Sequence, residues 1–132
     1  MRNPNKPCIF CNIKKSGSII ENVLAYVSCD SYPVTDLHCL IIPKRHVKNY
    51  FDLTKDEIIA CHQLIKKIKK EIEKKDKKVN GFNVGINSGK VAGQSIMHCH
   101  IHLIPRRKGD VDNPQGGVRS VIPLKQHYIR KA

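Results

Sequence analysis

A chain of 132 residues has room for one domain with a real core, and 40% hydrophobic against 27% charged residues excludes intrinsic disorder. With only 5% aromatic residues and no Trp, that core must rest on Ile, Val and Leu. Lys and Arg number 24 against 11 Asp and Glu, and the resulting +13 favours polyanionic partners: nucleotides, nucleic acid or an anionic membrane surface.

The first twenty residues lack the continuous apolar stretch of a secretory signal, and no later stretch approaches bilayer length. The expectation is a soluble, cytoplasmic protein with a single domain over 1–132. Six cysteines in that setting point to free thiols or metal ligands rather than a disulfide framework. Cys29, Cys39, Cys61 and Cys99 read as small buried hydrophobes. Cys8-x-x-Cys11 is the one close pair: half a zinc site, a redox pair or two buried cysteines.

In chain order, residues 23–27 are a short β-prone run and residues 37–42 an apolar strand stopped by Pro43. Thr54-Lys55-Asp56-Glu57 fits a capping box, after which Ile58, Cys61, Leu64/Ile65, Ile68 and Ile72 recur at helical spacing. The lysines of residues 66–78 fall largely between them, as on the wet side of a helix, which ends before turn chemistry at Asn80-Gly81. Residues 82–87 alternate and lead into a glycine-rich stretch, and residues 96–104 are the best strand, closed by Pro105. The Arg-, Gly- and Pro-rich tail carries a possible edge strand at residues 118–122. Strands joined by turns, with one long helix between them, give an α+β class: an antiparallel sheet packed by helices on one face.

On an extended backbone, His98, His100 and His102 project from one face, roughly 6.6 Å apart, while Cys99, Ile101 and Leu103 project from the other. The apolar face belongs in the core and the histidine face lines something wet. One phosphate can bridge neighbouring imidazoles, and imidazole near neutral pH serves as nucleophile or general base without extreme tuning. A plain metal site or a solvent-facing strand are the competing readings. The loop from Gly85 to Lys90 is not a Walker motif, because the spacing is wrong and Val91 stands where Ser or Thr is required.

His98-Cys99-His100-Ile101-His102-Leu103-Ile104 resembles the signature of the histidine triad (HIT) superfamily of nucleotide hydrolases and transferases. Cys8-Ile9-Phe10-Cys11, Ile41-Ile42-Pro43-Lys44-Arg45-His46, Asn87-Ser88-Gly89 and Gly93-Gln94-Ser95 are similar to further family segments, in the same order. Residues 103–110 resemble the branch that cleaves dinucleoside polyphosphates. The resemblance implies a HIT-like antiparallel sheet with one long helix and a shorter N-terminal helix, and a homodimer. It also implies that His100 attacks the α-phosphorus to form a nucleotidyl-histidine, with His102 on the phosphates, His38 packed behind it and His98 completing the triad. Asp30 then matches a ribose contact, and Asn87, Gly93, Gln94 and Ser95 match the phosphate-binding stretch. In zinc-carrying members the ligands correspond to Cys8, Cys11, His46 and His98, a closed structural tetrahedron. A metal-bound His98 cannot give a proton to the leaving group, which leaves that help to His102 or a basic side chain.

The substrate implied is a dinucleoside polyphosphate or a nucleoside phosphoramidate. A non-enzymatic nucleotide- or nucleic-acid-binding module is the alternative, and the absence of an aromatic stacking set argues against nucleic acid. Repair of adenylated DNA ends shares the chemistry but lacks a separate zinc-finger segment after the triad.

Overall fold

The computed structural model describes residues 8–131. Five strands form one antiparallel sheet: β1 (Ile20–Glu21), β2 (Ala25–Cys29), β3 (Cys39–Pro43), β4 (Val79–Gly85) and β5 (Ile101–Arg107), in the order β1-β2-β3-β5-β4. A short helix α1 (Ile13–Ser16) precedes the sheet, and the long helix α2 (Lys55–Lys75) connects β3 to β4. The expected α+β architecture, with one long and one short helix, is present.

Helix α2 starts where its capping box lies. The Thr54 hydroxyl accepts from the Glu57 amide at 3.1 Å, and the Glu57 carboxylate accepts from the Thr54 amide at 2.8 Å. Ala60, Cys61, Leu64, Ile68 and Ile72 bury one stripe against Ala25, Val27, Cys39, Ile41, Ile101 and Leu103 of the sheet. Each large aliphatic side chain so buried contributes roughly 1.5–3 kcal/mol. Ile58, expected in that stripe, is 41% exposed. Glu57, at helical spacing from Ala60, Cys61 and Leu64, takes the inward position of the first turn and binds Arg45, which leaves Ile58 one position off the stripe.

The other sheet face is not bare. Phe10, Tyr26, Leu40 and Ile42 form a second cluster with Cys8, Ile13 and Ile96, so the N-terminal segment packs opposite α2 rather than beside it. β2 and β3 are thereby covered on both sides, which is why Cys39–Pro43 is an unbroken apolar run instead of an alternating one.

Strand limits depart from the sequence expectation at each proline. Pro43 belongs to β3, opposite Ala25. Lys44 donates to Leu24, so the Pro43 N and C=O point the other way, past the last β3–β5 pair, Ile41↔Ile101. Pro105 likewise lies inside β5, opposite Phe82, beyond the β3 ladder's last rung at Leu103; its carbonyl accepts from the Thr35 hydroxyl at 2.8 Å. In neither place is an N–H required. The ladder of β5 starts only at Ile101, so His98 and His100 lie just before the strand rather than within it.

The turn expected at Asn80-Gly81 falls earlier, where the Asp76 side chain and carbonyl receive the Lys78 and Val79 amides. Asn80-Gly81 is instead an irregularity in the β4–β5 register. Residues 118–122 are not an edge strand, since Gly117–Val121 coil into a 3-10 turn. Gly116 before it has φ +75°, and a Cβ there would collide with the Gln126 carbonyl, so glycine is what lets the tail fold back on itself. Among the described residues no helix is long and apolar enough to cross a membrane.

Candidate active site and metal centre

The three triad histidines meet three different surroundings. Cys99, Ile101 and Leu103 turn into the core as expected, but His98 is completely buried and His100 only 8% exposed, so the histidine face is not simply wet. His98 Nε2 lies 2.7 Å from the Pro43 carbonyl, and because a carbonyl only accepts, the ring carries its proton there. Its Nδ1 faces Cys8 Sγ at 3.3 Å, Cys11 Sγ at 3.5 Å and His46 Nδ1 at 3.2 Å; Cys11 Sγ lies 3.1 Å from His46 Nδ1.

These four donor atoms all fall within 4.8 Å of one another. A tetrahedral zinc with bonds of about 2.3 Å to sulfur and 2.0–2.1 Å to nitrogen sets its ligand atoms about 3.3–3.8 Å apart, so the cluster has zinc dimensions. The Pro43 contact adds the second requirement, holding the His98 Nδ1 lone pair toward the centre of the cluster. The residues fit a closed structural zinc site, and both nitrogens of His98 are then committed away from any substrate.

His100 is set the opposite way. Its Nδ1–H donates to the His98 carbonyl at 2.9 Å, which leaves Nε2 as the nitrogen with a lone pair. The Phe10 ring, 5.1 Å away at 61°, and the His102 ring, 5.3 Å away, flank it.

A third chain of contacts fixes His102. The Val34 amide donates to His38 Nδ1 at 3.1 Å, so neutral His38 carries its proton on Nε2. That Nε2–H lies 3.0 Å from His102 Nδ1 and 3.3 Å from an Asp30 carboxylate oxygen, which is itself 3.8 Å from His102 Nδ1. Neutral His102 therefore presents an N–H at Nε2. Burial lowers both histidine pKa values; for His102, His100 and His38 lower it further, and for both rings Asp30 pulls back upward. Asp30, His38 and His102 are also close enough together to hold a cation, but His38 offers them a proton rather than a lone pair.

In the glycine-rich stretch, Gln94 is buried and its side chain is occupied: Oε1 accepts from the Gly89 amide, and Nε2 donates to the Lys48 and Ile96 carbonyls. Gln94 thus shapes the loop. Gly93, at φ +93°, reverses the chain after a 3-10 turn, and Ser95 beside it is exposed.

His38, His102 and Asn87 line a cavity of about 670 Å³; His100, Asp30, Gly93, Gln94 and Ser95 do not line it. Val118, Val121 and Gln126 of the folded-back tail line it too, a contribution for which the sequence carries no motif. The basic residues after the triad are mostly engaged. Arg106 binds Asp110 through two nitrogens and Asn83 through a third, holding the Asp110 carboxyl well below the usual carboxylate range. Arg107 binds Asp76 and the Asp36 carbonyl, and Arg119 stacks 4.4 Å over Tyr128.

A five-stranded sheet that carries three alternating histidines at the mouth of its inner strand, backed by a Cys₂His₂ cluster, is the arrangement of a histidine triad domain. Residues 13–109 match the HIT domain, and the chain belongs to that family. It is 35% identical to an adenosine 5′-monophosphoramidase from Candida albicans, over 76% of this chain and 70% of that one. Its fold is similar to a zinc-bound histidine triad family protein from Mycobacterium smegmatis, with a TM-score of 0.70 and 31% identity over 78% of this chain and 77% of that one. A diadenosine triphosphate hydrolase from Plasmodium falciparum gives a TM-score of 0.67 and 29% identity, over 75% of this chain and 67% of that one.

Proposed function

We propose that the protein cleaves a nucleotidyl substrate at the α-phosphate through a nucleotidyl-His100 intermediate. One observation carries this: the Nδ1–H of His100 is spent on the His98 carbonyl, which leaves Nε2 with its lone pair beside the His102 ring. In the first step Nε2 bonds to phosphorus as the bond to the leaving group breaks. In the second, water displaces His100 and releases the mononucleotide. Neutral His102 donates its Nε2–H to a phosphate oxygen. Asn87, which lines the cavity, serves the phosphates, Ser95 contacts them from the loop that Gln94 holds, and Asp30 serves the ribose and the His38–His102 pair.

The substrate favoured is a dinucleoside polyphosphate rather than a phosphoramidate. A departing polyphosphate is a stable anion that needs no proton, whereas a departing amine needs one, and the one N–H of neutral His102 is already given to the phosphate. Cys8, Cys11, His46 and His98 would hold a structural zinc, which when bound ties the N-terminal segment to the strand that follows His98.

Turnover of diadenosine triphosphate, diadenosine tetraphosphate and adenosine phosphoramidate by wild type and His100→Ala tests the reading. The expected result is faster release of AMP from the dinucleotides than from the phosphoramidate, with His100→Ala slower by about 10³-fold or more. Equal rates for wild type and His100→Ala on all three compounds would end it.

A further inference from the structure

Cys29 and Cys39 face each other across β2 and β3 as a direct register pair. The Asp30 amide donates to the His38 carbonyl, the bond that brackets Cys29 and Cys39 as a non-hydrogen-bonded pair of the antiparallel ladder. Opposed residues of that kind have Cα atoms about 4.5 Å apart and side chains on the same face, which lies inside the span a disulfide bridges. Cys29, at the open end of its strand, is exposed, while Cys39 is buried and donates its thiol to the Leu37 carbonyl at 3.0 Å. We propose that Cys29 and Cys39 form a cross-strand dithiol that closes to a disulfide once Cys29 has attacked a small-molecule disulfide.

The exchange runs in two steps. The Cys29 thiolate attacks the external disulfide, forming a mixed disulfide and releasing one small thiol. Cys39 then leaves Leu37, gives up its proton to the medium and attacks the Cys29 sulfur, releasing the second small thiol. Both cysteines are oxidised and the external disulfide is reduced to two thiols. The order follows from access. Burial, with Cys29 close by, pushes the Cys39 thiol up to about 11, so the exposed partner reacts first and Cys39 resolves slowly.

The bond would close the segment between residues 29 and 39. That segment holds Asp30, the Val34 amide that orients His38, Thr35 on the Pro105 carbonyl, and His38 itself. The inference stands whether or not the protein is a hydrolase.

Incubation of the folded protein with oxidised glutathione, followed by alkylation and peptide mapping, tests it. The expected product in wild type is a Cys29–Cys39 cross-linked peptide that is lost on reduction. Cys29→Ser should give no cross-link, and Cys39→Ala should leave glutathione trapped on Cys29. Glutathione persisting on Cys29 in wild type, with Cys39 recovered fully alkylated after unfolding, would overturn the proposal, as would Cys29 remaining unmodified.

Discussion

At the scale of single residues, the site works by assigning one proton to each ring. His98 donates to the Pro43 carbonyl, His100 to the His98 carbonyl and His38, oriented by the Val34 amide, to His102, so neighbouring imidazoles acquire distinct roles from their hydrogen-bond partners. Asp30 is the only carboxylate facing His38 and His102 within 4 Å among the described residues, and it opposes the lowering that burial imposes on them. Asp30→Asn should therefore move both titrations to still lower pH, visible in the imidazole proton resonances. The stability consequence has a definite sign. A histidine whose folded pKa is depressed leaves stability intact above its ordinary value near 6.5 and weakens it as pH falls through that value, because the unfolded chain takes the proton first. Asp30→Asn should consequently lose more urea stability than wild type between pH 7 and pH 5. An upward shift of either resonance would contradict the relay.

At the scale of elements, α2 shows what its sequence could and could not reveal. The capping box and the apolar spacing were both legible, because they are local. The inward place of Glu57 was not, because it depends on Arg45, 12 residues upstream, whose guanidinium binds the Glu57 carboxylate at 2.8 and 3.0 Å. The same distinction runs through the site. Alternating histidines and a Cys-x-x-Cys pair announce themselves in sequence, whereas Pro43, Val34 and His98 act through carbonyl and amide groups that every residue has. The exposure of Cys29 and the tail's return over the cavity are likewise set by where neighbouring elements stop. Glu57 joins the helix cap to the segment carrying His46, and Arg45 with the Thr54 cap lowers its pKa. Its stabilisation is present above the ordinary glutamate value and lost as pH falls through the folded one. Thr54→Ala removes the hydroxyl half of the cap and should cost roughly 1 kcal/mol in the urea midpoint at pH 7. An unchanged midpoint would mean that the cap is replaced by solvent without loss.

At the scale of the whole molecule, the sheet is held from two sides with unequal means. Helix α2 brings five buried side chains to one face, whereas the N-terminal segment brings little beyond Phe10, Cys8 and Ile13 to the other. The Tyr26 hydroxyl, 2.6 Å from the Phe10 carbonyl, is one polar tie on that side. A metal bound by Cys8 and Cys11 on the segment, and by His46 and His98 on the body, would supply the missing fastening, and it would act at a distance on catalysis because Phe10 lies against His100. Zinc removal should thus loosen residues 8–16 before it unfolds the sheet. With zinc in about hundredfold excess over its dissociation constant, the linked stabilisation is roughly 2.7 kcal/mol, or on the order of 10 °C in Tm for a chain of this size. A chelator should lower Tm by that order, added zinc should restore it, and Cys11→Ser should respond to neither. Hydrogen exchange would place the first opening at the N-terminal segment. A wild-type Tm indifferent to chelator, with no zinc in the purified protein, would leave the Cys₂His₂ cluster as a set of hydrogen-bonded side chains and shift the burden of holding Phe10 onto the apolar contacts alone.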